Sequence, residues 1–290
     1  MDLPLWFIFA LLAAIFSGLN NFLSKVAAEK KFDSKVVVFW VNAFSTVIAF
    51  LGFLFLAREN VSLDWLLLGM TVAVALSSVF IILNKIKGLG FLNPGTFFVS
   101  SRFGLLTGLF LVEVFVYHTS FTTRSLMGLF IGMIALVLLS ETKKRNEAQN
   151  LKRGFVAVVI VVVTMVFNNV IRKEVILLDY DRYAYYLLMF GFSFLLAAVM
   201  NYKDLGTKGL FTNKDNIIFY PFLQAVFNYI TGLSAFAALW YGANLVILSK
   251  TVSYSLFIPI ILSIIIYKEK VTLKKLVAFG LTIISLWLFL

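Results

Sequence analysis

The segment FFVSSR at residues 97–102 has a counterpart in LVILSK at residues 245–250, and each places one basic residue at the end of an apolar run. The two basic residues are 148 positions apart (250 − 102). The segments NNFLSK at residues 20–25 and NNVIRK at residues 168–173 have the same separation (168 − 20). Equal spacing of matched segments predicts an internal duplication, in which each copy carries a charge inside apolar sequence.

The composition predicts a membrane protein. Hydrophobic residues make up 61% of the chain and charged residues only 13%, whereas soluble domains carry about 25% charged residues. The absence of cysteine excludes disulfides, thiolate metal sites and thiol catalysis. The net charge of +11 comes from Lys and Arg in short connections between apolar runs. That distribution indicates orientation in a membrane, and no nucleic-acid partner is expected.

The apolar runs have the length of membrane-spanning helices, for which about 20 mostly apolar residues are needed. Ten helices are predicted, at residues 4–26, 36–57, 64–84, 94–117, 122–140, 152–173, 182–200, 216–239, 243–267 and 272–290. The runs are continuously apolar, without the alternation of barrel strands. We therefore predict an all-α membrane protein with ten transmembrane helices.

The ten helices divide into two sets of five, over residues 1–145 and 146–290. Because five is odd, the second set must enter the membrane from the opposite side, so the two repeats are predicted to be inverted. A third match, of residues 117–126 with residues 267–276, keeps nearly the same offset, 150 (267 − 117). The repeats are expected to form one integrated transmembrane domain.

The Lys and Arg residues of the connections lie mostly on one side of the predicted membrane. The positive-inside rule assigns that side to the cytoplasm and places both termini outside. Lys85 and Lys87 are counted there, in a connection predicted at residues 85–93. Arg172 and Lys173 carry less weight in this comparison of the two sides, because they lie at a helix end, where long side chains reach the membrane surface.

Arg102 and Lys250 are the first candidates for substrate binding. Each lies about 10–12 Å along its predicted helix, and inverted helices would bring the two charges toward the middle of the membrane from opposite faces. In a water-filled cavity they would bind a carboxylate or phosphate, with Ser253 and Tyr254 beside Lys250. The alternatives are that Arg102 reaches a lipid headgroup, or that helix-end carbonyls satisfy both charges.

Amide side chains in the predicted helices are further candidates, because an uncompensated amide is costly in hydrocarbon. Gln224 and Asn228 are four residues apart and so share a helix face. Asn20 and Asn168 occupy matching places in the two repeats. Lining a cavity is one interpretation of these amides, and hydrogen bonding between helices is the other.

The remaining polar residues favour structural roles. Glu113, the only acidic residue deep in a predicted helix, lies near the helix end, which favours a structural or interfacial role over proton coupling. The single His118 borders a connection and is expected to be solvated, so no metal site is predicted. Gly128 and Gly132 are expected to let helices approach closely. No catalytic set, nucleotide-binding motif or cofactor motif is visible, and neither an enzyme nor an ATP-driven pump is expected.

The five-plus-five helices and the Asn-Asn-x-x-x-Lys endings at residues 20–25 and 168–173 resemble the drug/metabolite transporter superfamily, in particular its EamA-type ten-helix transporters. The segments WYGA at residues 240–243 and YKEKVT at residues 267–272, with Pro259 between them, add to the resemblance. It implies a secondary transporter with a central cavity, in contact with membrane lipid, which moves small molecules across the inner membrane. Members of this family generally keep both termini in the cytoplasm, the opposite of the orientation that the charges predict.

The predicted function is secondary transport of small polar or anionic metabolites, such as amino acids or carboxylates, by alternating access. The protein would export or exchange them, and coupling to a proton or a counter-substrate stays open. One alternative is a flippase for lipids or lipid-linked substrates, in which the same charges meet headgroups. The other is a multidrug exporter, although residues 4–26 lack the membrane-embedded glutamate of the superfamily's small multidrug branch.

Overall fold

The computed structural model describes residues 4–57, 61, 63–92, 94–138, 148–202, 218–258, 261–262, 265 and 272–288. Ten α-helices are bounded within these residues: α1 (Leu5–Glu29), α2 (Ser34–Leu56), α3 (Trp65–Phe91), α4 (Pro94–Phe115), α5 (Thr123–Leu138), α6 (Ala148–Leu177), α7 (Arg182–Met200), α8 (Phe219–Trp240), α9 (Leu245–Ser253) and α10 (Leu273–Trp287). A 3-10 turn, Tyr254–Leu256, follows α9. The described residues contain no β-strand, which confirms the predicted all-helical fold.

Seven helices, α1 to α4 and α6 to α8, are long and apolar enough to cross a membrane. This fits a multi-pass membrane protein. α5 and α10 contain the shorter apolar segments Thr123–Ala135 and Leu276–Ser285. Part of the helix predicted at residues 243–267 lies outside the described residues, as do residues 139–147.

Polar caps set the starts of several helices. The Asp33 side chain accepts a hydrogen bond from the Lys35 backbone N–H (2.8 Å) at the start of α2. Asn244 accepts one from the Ile247 N–H (2.7 Å) at the start of α9. Such caps satisfy backbone donors that lack a partner in the first turn of a helix. The predicted starts of these two helices, at residues 36 and 243, are within two residues of the observed ones.

The predicted end of the third helix, at residue 84, is wrong. α3 continues to Phe91, so the connection predicted at residues 85–93 is mostly helical and Lys85 and Lys87 are helix residues. In a hydropathy profile, a lysine marks the end of a predicted membrane helix, because its charge is costly in lipid. Lys87 is exposed four residues before the end of the helix, and Lys85 lies inside the bundle against a cavity.

The helices pack in pairs that are related by a simple exchange. Six contacts form three corresponding pairs: α1–α8 with α3–α6, α3–α7 with α2–α8, and α4–α6 with α1–α9. Three further contacts, α2–α7, α4–α9 and α5–α10, each join helices that are five places apart in the chain. Replacing each helix by the one five places away in the chain exchanges the first six of these contacts in pairs and leaves α2–α7, α4–α9 and α5–α10 unchanged. The two halves of the chain therefore make equivalent interhelical contacts.

Glycines allow the closest approaches between helices. A Cβ atom at Gly104 would lie 2.8 Å from a Val162 methyl group, and one at Gly108 would lie 2.7 Å from a Val166 methyl group. α4 therefore packs on α6 with almost no space between them. The predicted close approach at Gly132 is confirmed, since a Cβ atom there would lie 2.9 Å from the Ser285 hydroxyl on α10.

Candidate functional site

A central cavity of about 230 Å³ lies among the helices. Its apolar wall includes Phe97, Phe98 and Phe190. Its polar lining comes from α1, α3, α4, α6, α7, α8 and α9: Ser17, Asn20, Asn21, Ser24, Ser78, Lys85, Ser101, Arg102, Asn168, Asn169, Arg172, Tyr186, Gln224, Asn228, Thr231 and Ser249. Side chains from both halves of the chain thus converge on one internal space.

Five of the eight side chains that the sequence predicts to bind substrate line this cavity, namely Asn20, Arg102, Asn168, Gln224 and Asn228. The Arg102 side chain is 6% exposed, and its Nη2 donates a hydrogen bond to Ser17 Oγ on α1 (3.2 Å). Gln224 Nε2 donates to Ser24 Oγ, also on α1 (3.1 Å). These bonds to neutral hydroxyls hold the two side chains at the cavity wall, and no acidic side chain among the described lining residues compensates the charge of Arg102.

The two Asn-Asn pairs of the matched segments meet at the same cavity, since Asn20, Asn21, Asn168 and Asn169 all line it. Asn168 Nδ2 donates to Ser78 Oγ on α3 (3.2 Å). The amides therefore both line the cavity and bond to neighbouring helices, so the two interpretations of the sequence are not exclusive for Asn168.

Lys250, Ser253 and Tyr254 do not line the cavity. Lys250 is 2% exposed, and its Nζ donates to the Ser285 carbonyl oxygen on α10 (2.8 Å). The Tyr254 hydroxyl donates to Ser285 Oγ (2.8 Å). Consecutive helix residues point about 100° apart, so Ser249 faces the cavity while Lys250 faces α5 and α10. The structure therefore does not bring Arg102 and Lys250 into one site.

Two cationic side chains that the sequence analysis did not select line the cavity instead. Lys85 Nζ donates to Asn21 Oδ1 (2.9 Å), and Arg172 Nη1 donates to Asn169 Oδ1 (3.3 Å). The sequence predicts Lys85 in a connection and Arg172 at a helix end. A usable signal was the spacing of Arg172 four residues after Asn168, which puts both on one helix face.

The cavity is strongly cationic. Lys85, Arg102 and Arg172 line it, and no Asp, Glu or His is among its described lining residues. Lys85 and Arg102 donate to Asn21 and Ser17, which are one turn apart on α1, so two positive charges lie in the same part of the cavity. Buried charges without an opposite charge are costly, and such a site favours binding of an anion through charge-assisted hydrogen bonds.

Buried polar atoms around the cavity add to its hydrogen-bonding capacity. Arg172 Nε, Thr231 Oγ1 and Ser249 Oγ are buried and have no hydrogen-bond partner within the described part of the chain. Buried polar atoms normally have partners. All three residues line the cavity, so a polar solute there could bond to them.

Glu113 lies outside the cavity, in a cluster at the end of α4. Its carboxylate is fully buried and accepts hydrogen bonds from Lys173 Nζ (2.9 Å), the Leu245 backbone N–H (2.7 Å) and the Thr119 hydroxyl (2.5 Å). These contacts fit the structural role that the sequence favours for this residue. His118 is exposed, and within the described ranges no three His, Cys, Asp or Glu side chains are grouped to hold a metal ion.

Comparisons with known proteins define the fold more clearly than the activity. No protein-family model matches the sequence, and no curated protein matches it. Among solved structures, 28 chains match. One of them, described only as "Crystal structure of protein", aligns with a TM-score of 0.65 and 10% sequence identity, over 95% of this chain and 97% of that chain. Nearly the whole chain is therefore similar in fold to a solved protein.

Proposed function

We propose that the protein is a secondary transporter of small anionic metabolites across the inner membrane. The observation that carries the proposal is the central cavity, where Lys85, Arg102 and Arg172 are gathered and the described lining holds no acidic residue. A charged side chain inside a membrane domain normally belongs to a substrate or ion pathway. Here all three charges have the sign that attracts carboxylates and phosphates.

The neutral groups of the cavity suit the same solutes. Asn228 and Gln224 share a face of α8, and hydroxyl groups such as that of Ser101 line the same cavity. Amides and hydroxyls orient a solute through neutral hydrogen bonds, whereas the basic side chains supply most of the attraction. An amino acid or another carboxylate would use both kinds of group.

The size of the cavity supports a small solute over the two alternatives. Its volume of about 230 Å³ is below the range of roughly 300–1,000 Å³ that is usual for drug-sized ligands. A lipid or a lipid-linked sugar needs more room than a drug. The flippase and the multidrug exporter are therefore the weaker candidates, and a test with several classes of solute separates them.

The transport mechanism that we propose is alternating access by two inverted five-helix repeats, residues 1–145 and 146–290. The equivalent packing of helices five places apart supports this arrangement. The convergence of the matched Asn-Asn pairs on one cavity supports it as well. Rocking of the two repeats would then expose the cavity first to one side and then to the other. The EamA-type resemblance of the sequence agrees with such a mechanism.

Uptake into proteoliposomes tests the proposal. Labelled carboxylates, phosphates, amino acids and organic cations are offered to the intact chain, to Arg102→Gln and to Arg153→Gln. Arg153 is an exposed arginine on α6 and serves as the matched control. We expect anion uptake in the intact chain and in Arg153→Gln, and about a tenfold rise in KM in Arg102→Gln, from the loss of hydrogen bonds to a charged group. Preferential uptake of cations, or no effect of Arg102→Gln, would contradict the proposal.

A further inference from the structure

The basic side chains of the cavity lie at two depths, as the contacts between α3 and α6 show. Asn168 on α6 contacts Ser78 on α3, so these two residues lie at one level. The helices are antiparallel, because the Tyr180 hydroxyl beyond the end of α6 donates to Asp64 just before α3 (2.5 Å). Four residues beyond Asn168, Arg172 is therefore level with residue 74 of α3. Lys85 lies 11 residues further along α3, a separation of about 16 Å at 1.5 Å per residue.

The contacts between α4 and α6 give a second, independent measure. Gly104 packs on Val162 and Gly108 on Val166, so the two helices are parallel and residue 102 is level with residue 160 of α6. Arg172 lies 12 residues beyond that level, or about 18 Å. The first measure places Lys85 level with residue 161 of α6. Lys85 and Arg102 thus share one depth, which agrees with their hydrogen bonds to Asn21 and Ser17, one turn apart on α1.

The cavity therefore has two cationic ends, which we name the Lys85–Arg102 pole and the Arg172 pole. Helical side chains lean toward the N-terminus of their helix, so Lys85 and Arg172, on antiparallel helices, lean toward each other. The hydrogen bond from Arg172 Nη1 back to Asn169 has this direction. The charged groups of Lys85 and Arg172 are therefore closer together than their Cα atoms. A solute with a short carbon chain can bridge them.

A solute with one anionic group would satisfy only one pole. Its binding at the Lys85–Arg102 pole would leave the Arg172 guanidinium, whose buried Nε has no hydrogen-bond partner within the described residues, without a matching charge. Leaving a buried charge unmatched is costly. A second anionic group on the same solute would remove that cost.

We propose that the transported solute is a dianion with an anionic group at each end of a short chain, as in a dicarboxylate. One group binds Lys85 and Arg102, and the other binds Arg172. This inference rests on the proposed function, since it takes the cavity to be the transport site. It narrows the substrate from small anions in general to those with two separated charges.

Equilibrium binding to the full chain in lipid nanodiscs tests the inference. Succinate and glutarate are compared with butyrate and pentanoate, which have the same numbers of carbon atoms and one carboxylate fewer. We expect the dicarboxylates to bind about tenfold more tightly, because the additional charge-assisted pair contributes about a factor of ten or more to the binding affinity. Arg172→Gln is expected to weaken dicarboxylate binding about tenfold, so that the preference for dicarboxylates over monocarboxylates is lost.

The controls separate this inference from the proposed function. Arg102→Gln should weaken both kinds of ligand, and Arg153→Gln neither. Equal binding of the two kinds by the intact chain, or an undiminished preference in Arg172→Gln, would overturn the dianion while leaving anion transport intact. Failure of every anion to bind or to be taken up would overturn both. Should Arg172→Gln not fold, Arg172→Lys keeps the charge: a retained preference for dicarboxylates supports the inference, and a lost preference overturns it.

Discussion

Lys173 Nζ lies 2.9 Å from Glu113 Oε1, and this ion pair joins α6 to the end of α4. The same carboxylate oxygen accepts the backbone N–H of Leu245, the first residue of α9 (2.7 Å). A negative charge at this point is favourable because the N-terminus of a helix carries partial positive charge. One buried side chain therefore fixes three helices at one end of the bundle.

Replacing Glu113 with Gln is expected to be strongly destabilising. It leaves Lys173, with a side chain only 18% exposed, without its counter-charge, and breaking such a buried pair costs about 3–5 kcal/mol. The measurement is the unfolding midpoint of the purified protein in detergent. Adding Lys173→Met should recover part of the loss. Glu29→Gln is the control, because the Glu29 side chain is 52% exposed and its pair with Lys25, at 3.7 Å, is worth about 1 kcal/mol or less. Equal losses in both single variants would contradict the role given to Glu113.

Lys250→Met is expected to leave the KM for an anionic substrate within about twofold of the intact chain, whereas Arg102→Gln should raise it about tenfold. The reason is position, since Arg102 lines the cavity and Lys250 bonds to Ser285 outside it. Uptake at several substrate concentrations separates KM from the maximal rate. A larger rise in KM for Lys250→Met than for Arg102→Gln would show that Lys250 contacts the substrate.

Gly108→Ala is expected to destabilise the packing of α4 on α6. The added methyl group would lie 2.7 Å from Val166, and overpacking of this kind costs about 1–3 kcal/mol. Gly69→Ala on α3 is the matched control, because a Cβ atom there meets nothing within 4 Å. Alanine should stabilise that helix by about 0.5–1 kcal/mol, since glycine loses more backbone entropy on folding. Opposite shifts of the unfolding midpoint are expected, and a fall in both variants would contradict this account.

The Asp64 carboxylate before α3 is expected to make stability fall at low pH. Its hydrogen bonds from the Leu67 backbone N–H and the Tyr180 hydroxyl lower the pKa of Asp64 below its ordinary value. A group with a lower pKa in the folded state stabilises the fold above its unfolded pKa, and that stability is lost as the pH falls through the folded pKa. Unfolding midpoints between about pH 7 and pH 3 cover this window, given an ordinary pKa of about 3.9.

Tyr180→Phe removes one of these two hydrogen bonds and is the diagnostic variant. The pKa of Asp64 should rise, so the loss of stability on acidification should begin at a higher pH than in the intact chain. Tyr241→Phe, at an exposed tyrosine, is the control and should leave the profile unchanged. Identical pH profiles for all three proteins would show that the Tyr180 hydroxyl has no such effect.

The helices themselves could be predicted from the sequence, because hydropathy depends on composition over about 20 residues and not on detailed contacts. α7 was predicted at residues 182–200 and is observed at Arg182–Met200, where a capping Asp181 marks the start. Hydropathy does not give the end of α3, because it counts Lys85 as a charge that faces lipid or water. Only the packing of the bundle reveals that this side chain faces an internal cavity.

The cavity was predicted less completely, for a geometric reason. A pattern of polar residues gives the helix on which a side chain lies, but the direction in which it points depends on the rotation of that helix in the bundle. One residue of difference, 100° around the helix, separates Ser249 at the cavity from Lys250 beside Ser285. Arg102 lines the cavity from the interior of a predicted helix, whereas the sequence places Arg172 at a helix end, and its direction follows only from the packing of α6 against α3 and α4.

The positive charges of the cavity belong to the protein, and this determines how the membrane potential acts on transport. Lys85, Arg102 and Arg172 stay with the protein when a solute leaves, so the charge that crosses the membrane is that of the solute alone unless a second ion accompanies it. A membrane potential of 100 mV, negative inside, acts on each elementary charge with about 2.3 kcal/mol. An unaccompanied dianion would therefore be driven out of the cell by about 4.6 kcal/mol, and its accumulation inside would require a co-transported cation or exchange for another anion.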